Sequence, residues 1–217
     1  MGFNSASSPK AVVTHTDINT AYPTAKKVLM NKLILFNKPY GVICQFSPHE
    51  KHGCLKDYIE APGFYPAGRL DTDSEGLLLL TNDGRLQAQI SSPKFKTEKT
   101  YWAQVEGQPD ETKLAILKRG VDLGDFISQP AKVRIMSAHE TAHLWPRQPP
   151  IRVRQTVPDF WLEIKISEGK NRQVRRMTAK AGYPCLRLVR TAIGGIALFD
   201  IGLMPGQWRH ADSKLLK

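Results

Sequence analysis

The chain has 217 residues, 41% hydrophobic and 24% charged, a globular composition long enough for one large domain or two small ones. It carries 31 Lys and Arg against 20 Asp and Glu, a net charge of +11, which favours a polyanionic partner, nucleic acid before an anionic membrane surface. No apolar run of about 18 residues and no signal-peptide h-region occur, so no membrane span or secretory signal is expected. Three cysteines (Cys44, Cys54, Cys185) without repeated spacing argue against a disulfide framework and fit a reducing, cytoplasmic setting.

Residues 1 to about 28 are rich in Ser, Thr, Ala and Asn without apolar periodicity and read as a flexible leader, which places the domain boundary near 31 and a single folded domain over 32–212. The segment KLILFNKPYGVICQF predicts strands at 33–36 and 42–46 around an Asn-Lys-Pro-Tyr-Gly turn. A short helix fits 54–60. Strands at 64–67 and 77–81 flank an acidic loop, and the leucine run 77–80, apolar on both faces, suits a buried central strand. A helical turn or two fits 85–91, and TYWAQVE predicts a strand at 100–106. Helix start and stop signals, Asp110 and Gly120, bracket 110–119. Strands are predicted at 131–137 and 160–167, with a proline-rich loop at 145–158 between them. A basic helix at 171–181 follows, closed by Gly182, then strands at 185–191 and 196–201. Strands with scattered helices and no βαβ alternation predict an α+β fold: a mixed, mainly antiparallel sheet with flanking helices and loops.

The charge is uneven. Between positions 147 and 190 stand eleven Arg and Lys against three acids, so most of the excess lies in the last third, a localised footprint suited to RNA or DNA. Three metal-like patterns are set against their contexts. Asp71, Asp73, Glu75 and Gly76 imitate the start of an EF-hand loop, but Asn82 stands where the bidentate Glu is needed. His139-Glu140-Thr141-Ala142-His143 matches H-E-x-x-H, which would make a zinc hydrolase. A strand leads into it, however, and Pro146, Pro149 and Pro150 stop any helix within a turn. Cys44, His49, His52 and Cys54 lack the C-x2-C spacing of a structural zinc site.

The remaining constellation is Gly68-Arg69-Leu70-Asp71, ahead of the leucine run. In extended geometry Arg69 and Asp71 face the same way. A carboxylate near guanidinium groups stays ionised and suits a nucleophile or base; the same pair on a surface would be worth little. The apolar strand behind a polar loop favours a mounted site.

GRLDTDSEGLLLLTNDG closely resembles the central motif of the RNA pseudouridine synthases, in the branch that contains the small-subunit rRNA enzyme. NKPYGVICQ, EKTYWAQVEG, and EGKNRQVRRM with CLRLVRTAIGGIAL resemble the family's other motifs in order, over residues 32 to 208. Within that branch the chain is most similar to a large-subunit rRNA member that lacks the N-terminal S4 RNA-binding domain, for which the leader here is also too short. The resemblance implies a pseudouridine-synthase-like catalytic domain that isomerises one uridine of ribosomal RNA, 23S in particular, without cofactor, metal or redox change. It implies Asp71 as the nucleophile, Tyr101 as the aromatic stacked on the base, and Arg175 as the basic partner of the carboxylate, with Arg172 a close competitor. Leu188 would pack on the base, Arg69 would hold the flipped nucleotide or a phosphate, and Lys170, Arg172 and Arg176 would contact RNA. A monomer is expected. A non-catalytic RNA-binding module using the same basic patch is the competing class.

Overall fold

A computed structural model describes residues 33–151, 154 and 156–216. The expected leader lies outside them, as does Arg152 of the basic stretch. Among the described residues the strands are β1 (Leu33–Lys38), β2 (Tyr65–Pro66), β3 (Glu75–Thr81), β4 (Lys99–Glu106), β5 (Lys132–Ile135), β6 (Asp159–Ile166), β7 (Cys185–Ile193), β8 (Ile196–Ala197) and β9 (Trp208–Ala211). The helices are α1 (Gly84–Ser91), α2 (Glu111–Arg119), α3 (Ala138–Thr141), α4 (Gln173–Lys180) and α5 (Leu198–Ile201).

The strands form one sheet in the order β5-β6-β4-β7-β3-β1-β9, with β2 paired to β3 and β8 to β7. The leucine strand β3 is buried at every position. Its alternation sends Leu78 and Leu80 into one core, with Ile34, Phe36, Val105, Leu114 and Met177, and Leu77 and Leu79 into another, with Leu33, Leu35, Val189 and Leu198. A strand covered on both sides needs apolar residues at every position, which is why this run does not alternate.

Every pairing in the sheet is antiparallel except β3 with β7, which run parallel through Glu75↔Val189 and Gly76↔Arg190. At that junction Gly76 has φ +102°, and a Cβ there would collide with the Arg190 backbone. Glycine permits the close approach. The segment leading into β3 therefore emerges at the seam between the two halves of the sheet.

The helices expected at 85–91 and 110–119 form, and the one expected at 54–60 is a single 3-10 turn, Leu55–Asp57. The Asp83 carboxylate accepts from the N–H groups of Arg85 and Leu86 at the start of α1, and the Asp110 carboxylate from those of Thr112 and Lys113 at the start of α2. Three further expectations change. Residues 42–46 form no strand: Val42 makes a single bridge to Gly53, and Cys44 turns away to the backbone of Leu70. Residues 196–201 are a two-residue strand and then the helical turn α5, closed by Gly202 at φ +65°. The basic helix α4 begins at Gln173, because Arg172 adopts the left-handed conformation (φ 48°). No helix among the described residues is long and apolar enough to cross a membrane.

Candidate active site

The backbone of the loop from Arg69 to Asp73 is bonded at every residue, from distant parts of the chain at all but Asp71. Arg190 Nη1 donates to the Arg69 carbonyl at 3.3 Å. The Cys44 thiol donates to the Leu70 carbonyl at 3.2 Å, and its sulfur accepts from the Leu70 N–H at 3.3 Å. Ser74 N–H donates to the Asp71 carbonyl, Gly41 N–H to Thr72 at 2.8 Å, and Arg175 Nη2 to Asp73 at 2.7 Å. The turn that presents Gly41 is itself pinned by Lys38, fully buried, whose Nζ donates to Pro39 O and Val42 O. Burial pulls the Lys38 pKa down to about 8. A backbone satisfied this way is rigid, so the Asp71 side chain is positioned without being consumed. Its one charged neighbour within 4 Å among the described residues is Arg172, at 3.9 Å.

The other two acids of the cluster have separate duties. Asp73 receives two hydrogen bonds from Arg172, at 2.9 and 2.7 Å, and lies 3.4 Å from Arg175 Nε. Burial pushes the Asp73 carboxyl up, but the bonds from Arg172 and the charges of Arg175 and Arg172 outweigh it and hold it below the usual range. Glu75 is buried in a fork with Arg187 (2.8 and 2.9 Å), and the Trp145 indole N–H donates to it at 2.8 Å. Arg187 Nη2 also donates to the Trp145 carbonyl, so this buried knot ties the proline-rich connection to β3.

Of the basic residues named from the motif, Arg69, Lys170 and Arg172 line the hollows around Asp71, and Arg175 and Arg176 do not. Arg175 does not pair with Asp71: it grips the Asp73 carbonyl and carboxylate and the Cys185 carbonyl, behind the loop. Arg172 is the guanidinium beside Asp71, and its left-handed backbone at the mouth of α4 is the conformation that turns it there. Arg176 faces away from the cleft and binds Asp125 and the Leu123 carbonyl. Lys170 stays at the rim, 4.2 Å from the Phe126 ring centroid.

Asp71 lies where two hollows meet. An open cleft of about 720 Å³ is lined by Tyr40, Cys44, Gln45, Arg69, Asp71 and Arg172, among others, a size typical of ligand sites. A narrow inner pocket of about 90 Å³ opens from the same loop and brings Asp71 together with Tyr101, Leu188, Lys99 and Arg190. Tyr101 is 7% exposed and stands across from Arg190, with Leu188 two residues along the same face of β7. Of the residues predicted from sequence, Asp71, Tyr101, Leu188, Arg69, Lys170 and Arg172 line these hollows; Arg175 and Arg176 do not. Lys99 and Arg190 line the inner pocket as well, Lys99 on the Tyr101 face of β4 and Arg190 on the Leu188 face of β7, and it is the pairing of the two strands that brings them together.

The metal-like patterns are occupied by other duties. Glu140 accepts from Ser137 N–H and Oγ, capping α3, and pairs with Arg134 at 2.7 Å. The His49 and His52 rings stack on each other, and the Cys54 thiol points at the Phe46 carbonyl. Among the described residues no group of three His, Cys, Asp or Glu is arranged to hold a metal ion.

Residues 32–180 match the family model for RNA pseudouridylate synthase. Ribosomal large subunit pseudouridine synthase E of Vibrio vulnificus is 48% identical over 206 residues, covering 95% of this chain and 86% of that protein. The protein of the same name from Xanthomonas campestris is 54% identical over 187 residues, covering 85% and 98%. A solved crystal structure of a pseudouridylate synthase superposes with a TM-score of 0.69 at 29% identity, over 85% of this chain and 72% of that one. With a carboxylate mounted on a rigid loop beside an aromatic pocket, and with these likenesses spanning most of the chain, the protein belongs to the RNA pseudouridylate synthase family.

Proposed function

We propose that the protein converts one uridine of large-subunit (23S) ribosomal RNA to pseudouridine, acting as a monomer in the cytoplasm, with Asp71 as the nucleophile. The observation that carries the reading is Asp71 itself, fixed at the mouth of a pocket shared with Tyr101 and Leu188. The names of the similar bacterial proteins support the substrate. The target nucleotide leaves its stack, at a cost of a few kcal/mol, and the base enters the inner pocket. Tyr101 stacks on it and Leu188 packs its edge, while Arg69, Lys170 and Arg172 at the rim hold the flanking backbone by charge.

The chemistry conserves every atom. A carboxylate oxygen of Asp71 bonds to C1′ as the C1′–N1 bond breaks, its electron pair leaving with the base. The base turns, C5 bonds to C1′, and the carboxylate departs. The C5 proton is then removed while N1 gains one. Asp71→Asn is expected to abolish tritium release from RNA carrying [5-³H]uridine, with an unchanged melting temperature and RNA affinity. Full release by that variant would sink the assignment.

A further inference from the structure

The inner pocket is lined by five cations, Arg69, Lys99, Lys170, Arg172 and Arg190, and by one carboxylate, Asp71. Arg69, Lys170 and Arg172 are exposed and suited to the RNA backbone. Lys99 and Arg190 are different. They are 6% and 2% exposed, so the part of a bound nucleotide that meets them is the part that enters the pocket. The deepest part of a flipped nucleotide is its base.

The strand geometry aims both at one place. Lys99 and Tyr101 share a face of β4 by alternation. The β4–β7 register shifts between Thr100, which faces Ala192, and Tyr101, which faces Arg190. The bulged residue, Thr191, is what sets Arg190 beside Tyr101, a use of a bulge common next to sites. Arg190 spends Nε on the Leu77 carbonyl and Nη1 on the Arg69 carbonyl, while its buried Nη2 has no hydrogen-bond partner among the described residues. The Lys99 ammonium has three N–H groups and donates to one oxygen, Thr97 O, at 3.1 Å. Burial, and then the neighbouring charge of Arg190, lowers the Lys99 pKa to about 8. Two buried cations that repel each other call for an anion between them.

We propose that Lys99 and Arg190 form the anion site for the detached base, holding uracil as its monoanion between breakage of C1′–N1 and formation of C1′–C5. The inference rests on the reaction proposed above. In its first step the negative charge leaves the Asp71 carboxylate, which becomes a neutral ester, and arrives on the ring, spread over N1 and the two carbonyl oxygens. Fixed donors that meet a charge as it develops are the usual means of stabilising such a state, and removal of one such donor costs about 10²–10³ in rate.

The test is Lys99→Met, which keeps length and fills the buried volume. Its single-turnover rate at saturating RNA is expected to fall by about 10²-fold with RNA Kd within about twofold, and Lys99→Arg should recover most of it. Because a buried ammonium is replaced by an apolar chain, the melting temperature should hold or rise, which separates this role from a structural one. A raised Kd with an unchanged saturated rate would overturn the inference in favour of plain substrate binding. A second readout needs no turnover. In the Asp71→Asn background, whose amide is uncharged like the ester, 5-nitrouracil, an anion near neutral pH, should bind more tightly than neutral uracil by calorimetry. Asp71→Asn with Lys99→Met should lose that preference; equal preference in both would refute the site. Loss of activity in Asp71→Asn together with full activity in Lys99→Met would remove this inference and leave the proposed reaction standing.

Discussion

Arg187→Met is the sharpest probe of how the site is supported. Arg187 and Glu75 are side chains 6% and 2% exposed, joined by two hydrogen bonds of 2.8 and 2.9 Å, with Trp145 closing the knot from both its indole N–H and its carbonyl. Removing the guanidinium leaves Glu75 with one donor, the Trp145 indole, inside the apolar layer of Leu77, Leu79 and Val189. Breaking a buried pair on one side costs about 3–5 kcal/mol, because the remaining charge is uncompensated. For a domain of this size that is a fall in melting temperature of roughly 6–20 °C. Urea denaturation with a shared slope is the direct assay. Glu75→Gln combined with Arg187→Met should recover part of the loss, since both charges are then absent. A single variant within about 1 kcal/mol of the parent would show that the knot is not what holds the Trp145 connection to β3.

Other outcomes follow from the loop supports. Between pH 8 and 10.5 unfolded chains bind a proton at Lys38 that the folded protein does not, so stability relative to Lys38→Met should rise with pH through that window, by up to about 3 kcal/mol. A difference in urea midpoints that stays flat with pH would contradict this. Cys44→Val removes both sulfur contacts to Leu70 and should slow single-turnover tritium release by about twofold to thirteenfold, the worth of about 0.5–1.5 kcal/mol; Cys44→Ser, which keeps a donor and acceptor, should be nearer the parent. Gly76→Ala should cost at least about 3 kcal/mol in a thermal melt, since φ +102° and the Arg190 backbone both exclude a methyl group.

Much of this protein is written locally. The run 77–80 declares itself a doubly covered strand because burial on both faces demands apolar residues at successive positions, whatever the neighbours are. Asp110 marks the start of α2 through bonds from the N–H groups of Thr112 and Lys113, its own neighbours in the chain, and Gly120, at φ +105°, marks its end. The polar loop ahead of that strand marks a place for a site, and the resemblance of GRLDTDSEGLLLLTNDG to the family's central motif, not the local chemistry of the loop, points to Asp71 within it. The stretch 42–46 has strand-like composition, but composition does not show that Cys44 is drawn to Leu70 instead of to a partner strand.

What only the tertiary structure decided is the fate of each charge. Asp71, Asp73 and Glu75 look alike in sequence. Asp73 meets Arg172 across 99 positions and Glu75 meets Arg187 across 112, which leaves Asp71 as the carboxylate that lines both hollows. Arg172, Arg175 and Arg176 are separated by helix rotation and one left-handed residue into a neighbour of Asp71, a clamp behind the loop, and a brace on Asp125. Lys99 and Arg190 look like ordinary strand residues until the pairing of β4 with β7, shifted by one bulge, buries them on the same pocket. Apolar burial follows composition and can be read along the chain; the pairing of charges depends on which distant segments the fold makes neighbours, and no local pattern carries that information.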